Sequence, residues 1–436
     1  MIKNFLRQII AWLLRQEAKL VLRKYRPKIV GITGSVGKTG AKEAVAQVLG
    51  ARFRVRKSQK SFNHELGIPL TILGGQNAWW NPLGWARNLL EGLSLIIFRA
   101  DYPEWLVLEV GVERPGDITR LLKWLKFEVA VLTRLPEIPV HVEFFQSPEE
   151  LTREKLLLAQ GVGATGVAVL NQDDEKIMAA AREWRAGQTL TYGWDEAATV
   201  RASGEQIMYQ TVGTERQPDG LAFRVDYGGS MVPFRIRGLL ARHQLYGVLA
   251  AVAVGLSQGL NLLEIAESLS EFETPPGRFK LLAGIKQSLL VDDSYNSSPA
   301  ALEAALETLA QIETPGRKIC VLGDMMELGQ HTVAAHRLAG SQAAQACHLL
   351  VTVGVRAKLM VEAAERRRLG KRKVFSFLTA DEAKLKVQEL IEPGDVILVK
   401  GSQSVRLERL VEEIMAEPER AGELLVRQEP EWQRIP

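Results

Sequence analysis

The chain has 436 residues, 46% of them apolar, and a formal net charge of +4. That length suits two or three domains with sizeable cores, and the composition is that of a soluble globular protein. The charge is too small and too dispersed to argue for nucleic acid, and Cys320 and Cys347 lie in apolar stretches without metal-ligand spacing. A buried, reduced cysteine pair and a cytoplasmic location follow as expectations.

The first predicted element covers residues 1–27. Ile2, Phe5, Leu6, Ile9, Ile10, Leu13 and Leu14 recur at helical spacing, while seven basic residues oppose the single acid Glu17. The pattern predicts a basic amphipathic helix ending before Pro27, with neither the long uncharged core of a spanning segment nor a small-residue cleavage site. Two readings stay open. The helix lies on an anionic membrane surface or a partner protein, or it packs its apolar face on the next domain.

Lys28 to Thr33 is a β-branched run that turns through Gly34-Ser35-Val36-Gly37-Lys38-Thr39 into the helical pattern Ala41 to Leu49. Strand, glycine-rich loop and helix in that order are the frame of a phosphate loop. Backbone N–H groups at Gly34, Ser35, Val36 and Gly37 can close around phosphate oxygens, Lys38 can neutralise the β/γ region, and the Thr39 hydroxyl can ligate Mg²⁺. Ile32 stands where the common spacing G-x-x-x-x-G-K-T has its first glycine, so the loop reads T-G-x-x-G-K-T. That form resembles the loop of the Mur ligase family, ATP-dependent enzymes that join amino acids or peptides to a carboxylate.

Phe53 to Val55 reads as the next strand. The segment Asn63-His64-Glu65-Leu66-Gly67-Ile68-Pro69-Leu70-Thr71 resembles the family's N-x-x-x-G-x-P-L-T element, which implies that Asn63 faces the ATP phosphates; by itself Asn63 could be a helix cap. Trp79, Trp80, Trp85 and the apolar run Leu89 to Phe98 predict a buried helix by default, since the run is too short to cross a bilayer. Tryptophans exposed there would suit a membrane interface instead. Trp105 to Gly111 is an apolar strand ending in Glu109, and a carboxylate at the carboxyl end of a parallel strand is well placed to hold magnesium.

The block His141-Val142-Glu143-Phe144-Phe145-Gln146-Ser147 is similar to a family element whose histidine binds a second divalent ion. Eight positions later, Lys155 falls where the family carries a carbamylated lysine; read without the family, it is a surface lysine of a charged helix. Gly166 to Leu170 delivers Asn171-Gln172-Asp173-Asp174, similar to the family's N-x-D-D turn, and Thr191 to Arg237 reads as an antiparallel excursion. Gln244 stands where the family has an asparagine near the adenine.

Thr274-Pro275-Pro276-Gly277-Arg278 breaks both helix and strand, and it divides the chain at residue 274. Arg278 matches an arginine that in the family reaches the γ-phosphate when the domains close. Asp292-Asp293-Ser294-Tyr295-Asn296-Ser297-Ser298-Pro299 resembles the family's D-D-S-Y-N-A-N-P block, which implies nucleotide-side contacts for Asp293 and Asn296; Ser298 departs from it. Cys320 to Gly329 with His336, and Val396 to Ser402 with Arg406, look like the domain that holds the incoming amine. The tail 418–436 is charged and proline-bearing, and is expected to be poorly ordered.

The expected architecture is α/β: a basic helix (1–27), a central P-loop ATPase-type parallel-sheet domain (28–274), a second, Rossmann-like α/β domain (275–417) and the tail. The resemblance is strongest to the branch that joins D-alanyl-D-alanine to UDP-N-acetylmuramoyl-tripeptide. It implies ATP and two Mg²⁺ ions, with Lys38, His141, Lys155 and Arg278 in catalysis and Thr39, Glu109, His141 and carbamylated Lys155 at the metals. The family's separate UDP-sugar domain has no counterpart before the loop. The alternatives are a different, lipid-linked or polymeric carboxylate, a non-catalytic nucleotide-binding scaffold, and a P-loop ATPase or kinase with a hydroxyl acceptor, which the D-D-S-Y-N block and the second α/β domain disfavour.

Overall fold

The structure is a computed structural model that describes residues 2–59, 66–139, 141–184, 187–212, 215–367, 369 and 373–434. Among these residues the chain builds two sheets in succession. The first contains β1 (Lys28–Thr33), β2 (Val55–Lys57), β3 (Trp105–Glu109), β4 (Val129–Leu132), β5 (Val167–Asn171), β6 (Gln188–Gly193), β7 (Val200–Val212), β8 (Glu215–Tyr227) and β9 (Ser230–Arg237). Their spatial order is β2-β3-β1-β4-β5-β6-β7-β8-β9. Pairing is parallel from β2 to β7 and antiparallel through β8 and β9, so the expected antiparallel excursion forms the sheet's edge.

Side-chain alternation explains the layers. Val30, Ile32, Val107, Val129, Val131 and Val169 face one core, while Ile29, Leu106, Leu108, Leu132, Ala168 and Leu170 face the other. Strands buried on both faces need apolar residues at every position, which is why they read as continuous runs. The first core is closed by α2 (Lys38–Gly50) and α8 (Arg242–Ser257). Covering the second are α1 (Ile2–Tyr25), α3 (Gly67–Leu73), α4 (Pro82–Ile97), α5 (Asp117–Leu122), α6 (Pro148–Gln160) and α7 (Glu175–Ala181). Since β1 leaves to α2 on one face and β3 and β4 leave to α5 and α6 on the other, a crevice opens at their carboxyl ends.

After α9 (Leu262–Ser270) the chain passes Thr274 to Arg278 into the second sheet. Its strands are β10 (Lys280–Ala283), β11 (Leu289–Asp293), β12 (Lys318–Gly323), β13 (Leu349–Val353), β14 (Val374–Phe377) and β15 (Val396–Lys400). They run β10-β11-β15-β12-β13-β14, and only β10 is antiparallel to its neighbour. The α/β class and its two-sheet order match the expectation.

Several local expectations shift. The second strand is Val55–Lys57 rather than Phe53 to Val55, because the Phe53 N–H is used to end α2 on Leu49 O at 2.9 Å. The α1 helix packs on the domain through a stripe of Ala11, Leu14, Ala18 and Val21, all buried. Helix α4 is not a buried helix: only Asn88 and Gly92 are buried along it. The tail is packed as well. Leu425 and Arg427 are buried, and Trp432 meets Trp79 edge-on at 5.6 Å.

Candidate active site

The loop between β1 and α2 turns on two glycines in backbone conformations that side chains disfavour, Gly34 at φ 145° and Gly37 at φ 85°. A Cβ on Gly34 would stand 1.9 Å from Thr133 Oγ1, so the position admits no side chain. The neighbouring segment holds the loop, with Ser35 N donating to Arg134 O at 2.8 Å. Gly37 caps α2 without a side chain, which leaves the helix's first N–H groups and its dipole facing the loop.

Four side chains converge there. Lys38 Nζ folds back to donate to Gly34 O at 2.9 Å, and burial lowers its pKa, with Glu109 opposing and Arg278 adding to the shift. The Thr39 hydroxyl donates to Glu109 Oε2 at 3.1 Å and accepts from Arg278 Nη2 at 2.9 Å. Glu109 is buried at the carboxyl end of β3, and Arg278 arrives from the linker 239 residues further along the chain. Its guanidinium lies over the Tyr295 ring, 3.8 Å from the centroid.

Lys155 comes from α6, which starts at Ser147, whose side chain accepts from Glu150 N. It is 3% exposed, on the same buried stripe as Leu151 and Leu158, and Nζ donates to Ser35 Oγ at 2.8 Å. Burial first, and then the charge of Lys38, push its amine well below the ordinary lysine range. The surface-lysine reading therefore fails. The periodicity Leu151-Lys155-Leu158 was its sequence signal.

The second sheet supplies the opposite wall. His141, at φ 71°, brings Nδ1 within 2.6 Å of Glu327 Oε2, and this contact lowers the Glu327 carboxyl. Asp293 is buried against Lys400, whose Nζ donates to its Oδ2 at 2.6 Å and to Asn296 O at 3.0 Å. Asn296 Oδ1 accepts from Ser297 N at 2.9 Å. Gln244 accepts from Leu240 N and Ala241 N and donates to Arg278 O at 3.1 Å, so its amide braces the arginine's backbone. Beside it, burial lowers His243 to about 3, which keeps the imidazole neutral. Asn63 lies outside the described residues.

Sequence reasoning missed Glu327 as partner of His141, Ser35 as partner of Lys155, and Tyr295 under Arg278. It also missed Arg427, whose guanidinium donates to Glu408 Oε2 at 2.9 Å and to the Tyr295 backbone carbonyl. His336 accepts from Met325 N at 3.0 Å and lies 2.7 Å from Thr332 O through its other nitrogen, a neutral bracing histidine.

Among the described residues no three His, Cys, Asp or Glu side chains converge as a metal centre. The donors that do meet, Thr39 Oγ1 and Glu109 Oε2, are hard oxygens. That set fits Mg²⁺, which keeps waters and leans on one or two side chains plus substrate phosphates.

Comparison with known proteins gives the family. The Mur ligase middle domain matches residues 32–255, and the Mur ligase glutamate ligase domain matches residues 277–403. UDP-N-acetylmuramoyl-tripeptide--D-alanyl-D-alanine ligase of Bacillus subtilis is 27% identical over 406 residues, covering 93% of this chain and 79% of the relative. The Escherichia coli enzyme of that name is 27% identical over 405 residues, covering 90% and 78%. MurF of Thermotoga maritima, solved in complex with ADP, superposes with a TM-score of 0.74 at 24% identity, over 94% of this chain and 84% of that one. MurF of Acinetobacter baumannii gives 0.73 at 24% identity, over 92% and 79%. With the middle-domain match alone spanning more than half of its length, this chain belongs to the Mur ligase family and is a MurF-like ligase.

Proposed function

We propose that the protein is a cytoplasmic ATP-dependent ligase that joins D-alanyl-D-alanine to UDP-N-acetylmuramoyl-tripeptide, the reaction its relatives are named for. The observation that carries it is the chain Arg278, Thr39, Glu109, which ties the linker to the phosphate loop across the two halves of the molecule. A nucleotide-binding scaffold has no use for a guanidinium reaching from the linker to the loop's threonine.

The substrate carboxylate attacks the γ-phosphorus of ATP, giving an acyl phosphate and ADP. The amine then attacks the acyl carbon, the carbon–oxygen bond breaks, and phosphate leaves with the former carboxylate oxygen. Loop N–H groups and Lys38 hold the phosphates, and Arg278 meets charge on the transferred group with a rigid, planar fork. Thr39 and Glu109 would hold Mg²⁺, which supplies charge neutralisation at the phosphates. Burial favours the free amine of Lys155, which adds to carbon dioxide with loss of a proton; the resulting carbamate would be an anion beside Lys38, able to face a second ion with His141. Asp293 and Asn296 would flank the nucleotide from the second sheet, and Gln244 acts through the backbone of Arg278.

Phosphate release from ATP and Mg²⁺ is the test, with both substrates together and with each alone. Release that requires both supports the reading. ATP binding without stimulation by the pair overturns the substrate assignment and leaves the ligase fold intact.

A further inference from the structure

Helix α4 is apolar on two faces, and the fold uses one. Asn88 and Gly92 are buried, with Trp85 and Leu89 packed beside them, against α1 and the second core. The opposite side carries Leu83, Ala86, Leu90, Leu93 and Ile97 at spacings of three and four, a continuous helical stripe. Leu83 is 80% exposed, Leu90 66% and Ile97 61%, and the exposed aromatics Trp80 and Phe98 stand at the two ends. Exposed single apolar residues are ordinary, whereas a contiguous stripe on a helix marks a contact surface.

Charge identifies the occupant. Arg99 follows the stripe, and Arg23 and Lys24 of α1, with Arg26 just past it, stand at the same end, where Lys24 Nζ donates to Leu95 O at 2.8 Å and Ile96 O at 3.0 Å. Nearby acids are spoken for: Glu91 pairs with Arg87 at 2.7 Å, Asp101 with Arg54, and Glu17 is turned into the seam beside Gly92. The surface is thus aliphatic along its length, aromatic at its ends and cationic at its margin. A second copy on this face would bring two basic helices together, which like charge disfavours.

We infer that the outer face of α4, with the basic end of α1, docks on an anionic lipid bilayer, the helix lying in the interface plane. Among the described residues no helix is long and apolar enough to cross a membrane, so contact is peripheral. The inference stands apart from the proposed reaction, since binding to lipid needs no turnover.

The test is co-sedimentation of the full chain with vesicles of phosphatidylcholine alone or with a quarter phosphatidylglycerol, at low and high salt. Binding to the anionic vesicles only, weakened by salt, is the expected result. The double variant Leu90→Glu, Ile97→Glu should bind on the order of tenfold or more weakly. Both positions are exposed, so circular dichroism should match the parent; Arg23→Glu with Arg99→Glu is the second variant and should weaken binding without touching the stripe. No binding to either vesicle, equal binding to both, or undiminished binding of the variants overturns the inference. So does a parent dimer that Leu90→Glu converts to monomer.

Discussion

Lys38 and Lys155 are two lysines held beside the same loop, one on Gly34 O and one on Ser35 Oγ. Burial first, and then the charge of Lys38, push Lys155 toward the amine, the only form that adds carbon dioxide. Lys38→Ala should lower ligase turnover about 10²–10³-fold, the scale of losing one preorganised contact to transition-state charge, as read by steady-state phosphate release. Gly34→Ala is a backbone change with the same target. Its φ of 145° and the 1.9 Å approach to Thr133 Oγ1 predict a loss of about 1–3 kcal/mol by thermal unfolding, together with weakened nucleotide binding. Glu17 tests linkage away from the site. Burial raises its carboxyl from the ordinary 4.5 to about 7, so the folded state is penalised as pH rises above 4.5, fully so above about 7. Glu17→Gln should therefore raise the melting temperature at pH 8 and leave it unchanged near pH 4; equal shifts at both would refute the linkage.

Among elements, the packed tail is the one whose removal has the clearest expected cost. Arg427 and Glu408 are 3% and 1% exposed, with Arg406 Nε donating to the same carboxylate at 2.6 Å. Arg427→Ala removes one of the two guanidinium partners of the buried Glu408 carboxylate and leaves Arg406 on the other oxygen, so it should cost about 1.5–3 kcal/mol by urea unfolding, the scale of a hydrogen bond to a charged group. It should also loosen Tyr295, whose ring centroid is 5.3 Å from the Arg427 guanidinium and 3.8 Å from that of Arg278. Unchanged stability would mean that the tail only rests on the domain. The tail reads as disordered because its charge and prolines are local signals, whereas its anchor is one arginine meeting an acid in the preceding helix. The α4 helix misleads in the opposite way: an apolar run signals burial, but periodicity does not say how many faces a neighbour will cover. The phosphate loop was legible because its backbone tolerates few residue types. Lys155 was half-legible, its helix charged in composition yet its position on the apolar stripe.

In the whole molecule, the two sheets meet through residues far apart in sequence. His141 faces Glu327, Arg278 reaches Thr39, and Gln244 braces Arg278 O. No local pattern encodes such pairs, so the sequence showed which blocks matter without showing which side chains meet. These contacts serve activation of a carboxylate by phosphorylation in the reaction proposed above. Its most direct test labels the acceptor carboxylate of UDP-N-acetylmuramoyl-tripeptide with oxygen-18 and follows one turnover with ATP and D-alanyl-D-alanine by mass spectrometry of the released phosphate. Phosphate carrying one oxygen-18 atom is the expected product, formed about 10²–10³-fold more slowly with Lys38→Ala. Amide product accompanied by unlabelled phosphate would contradict it.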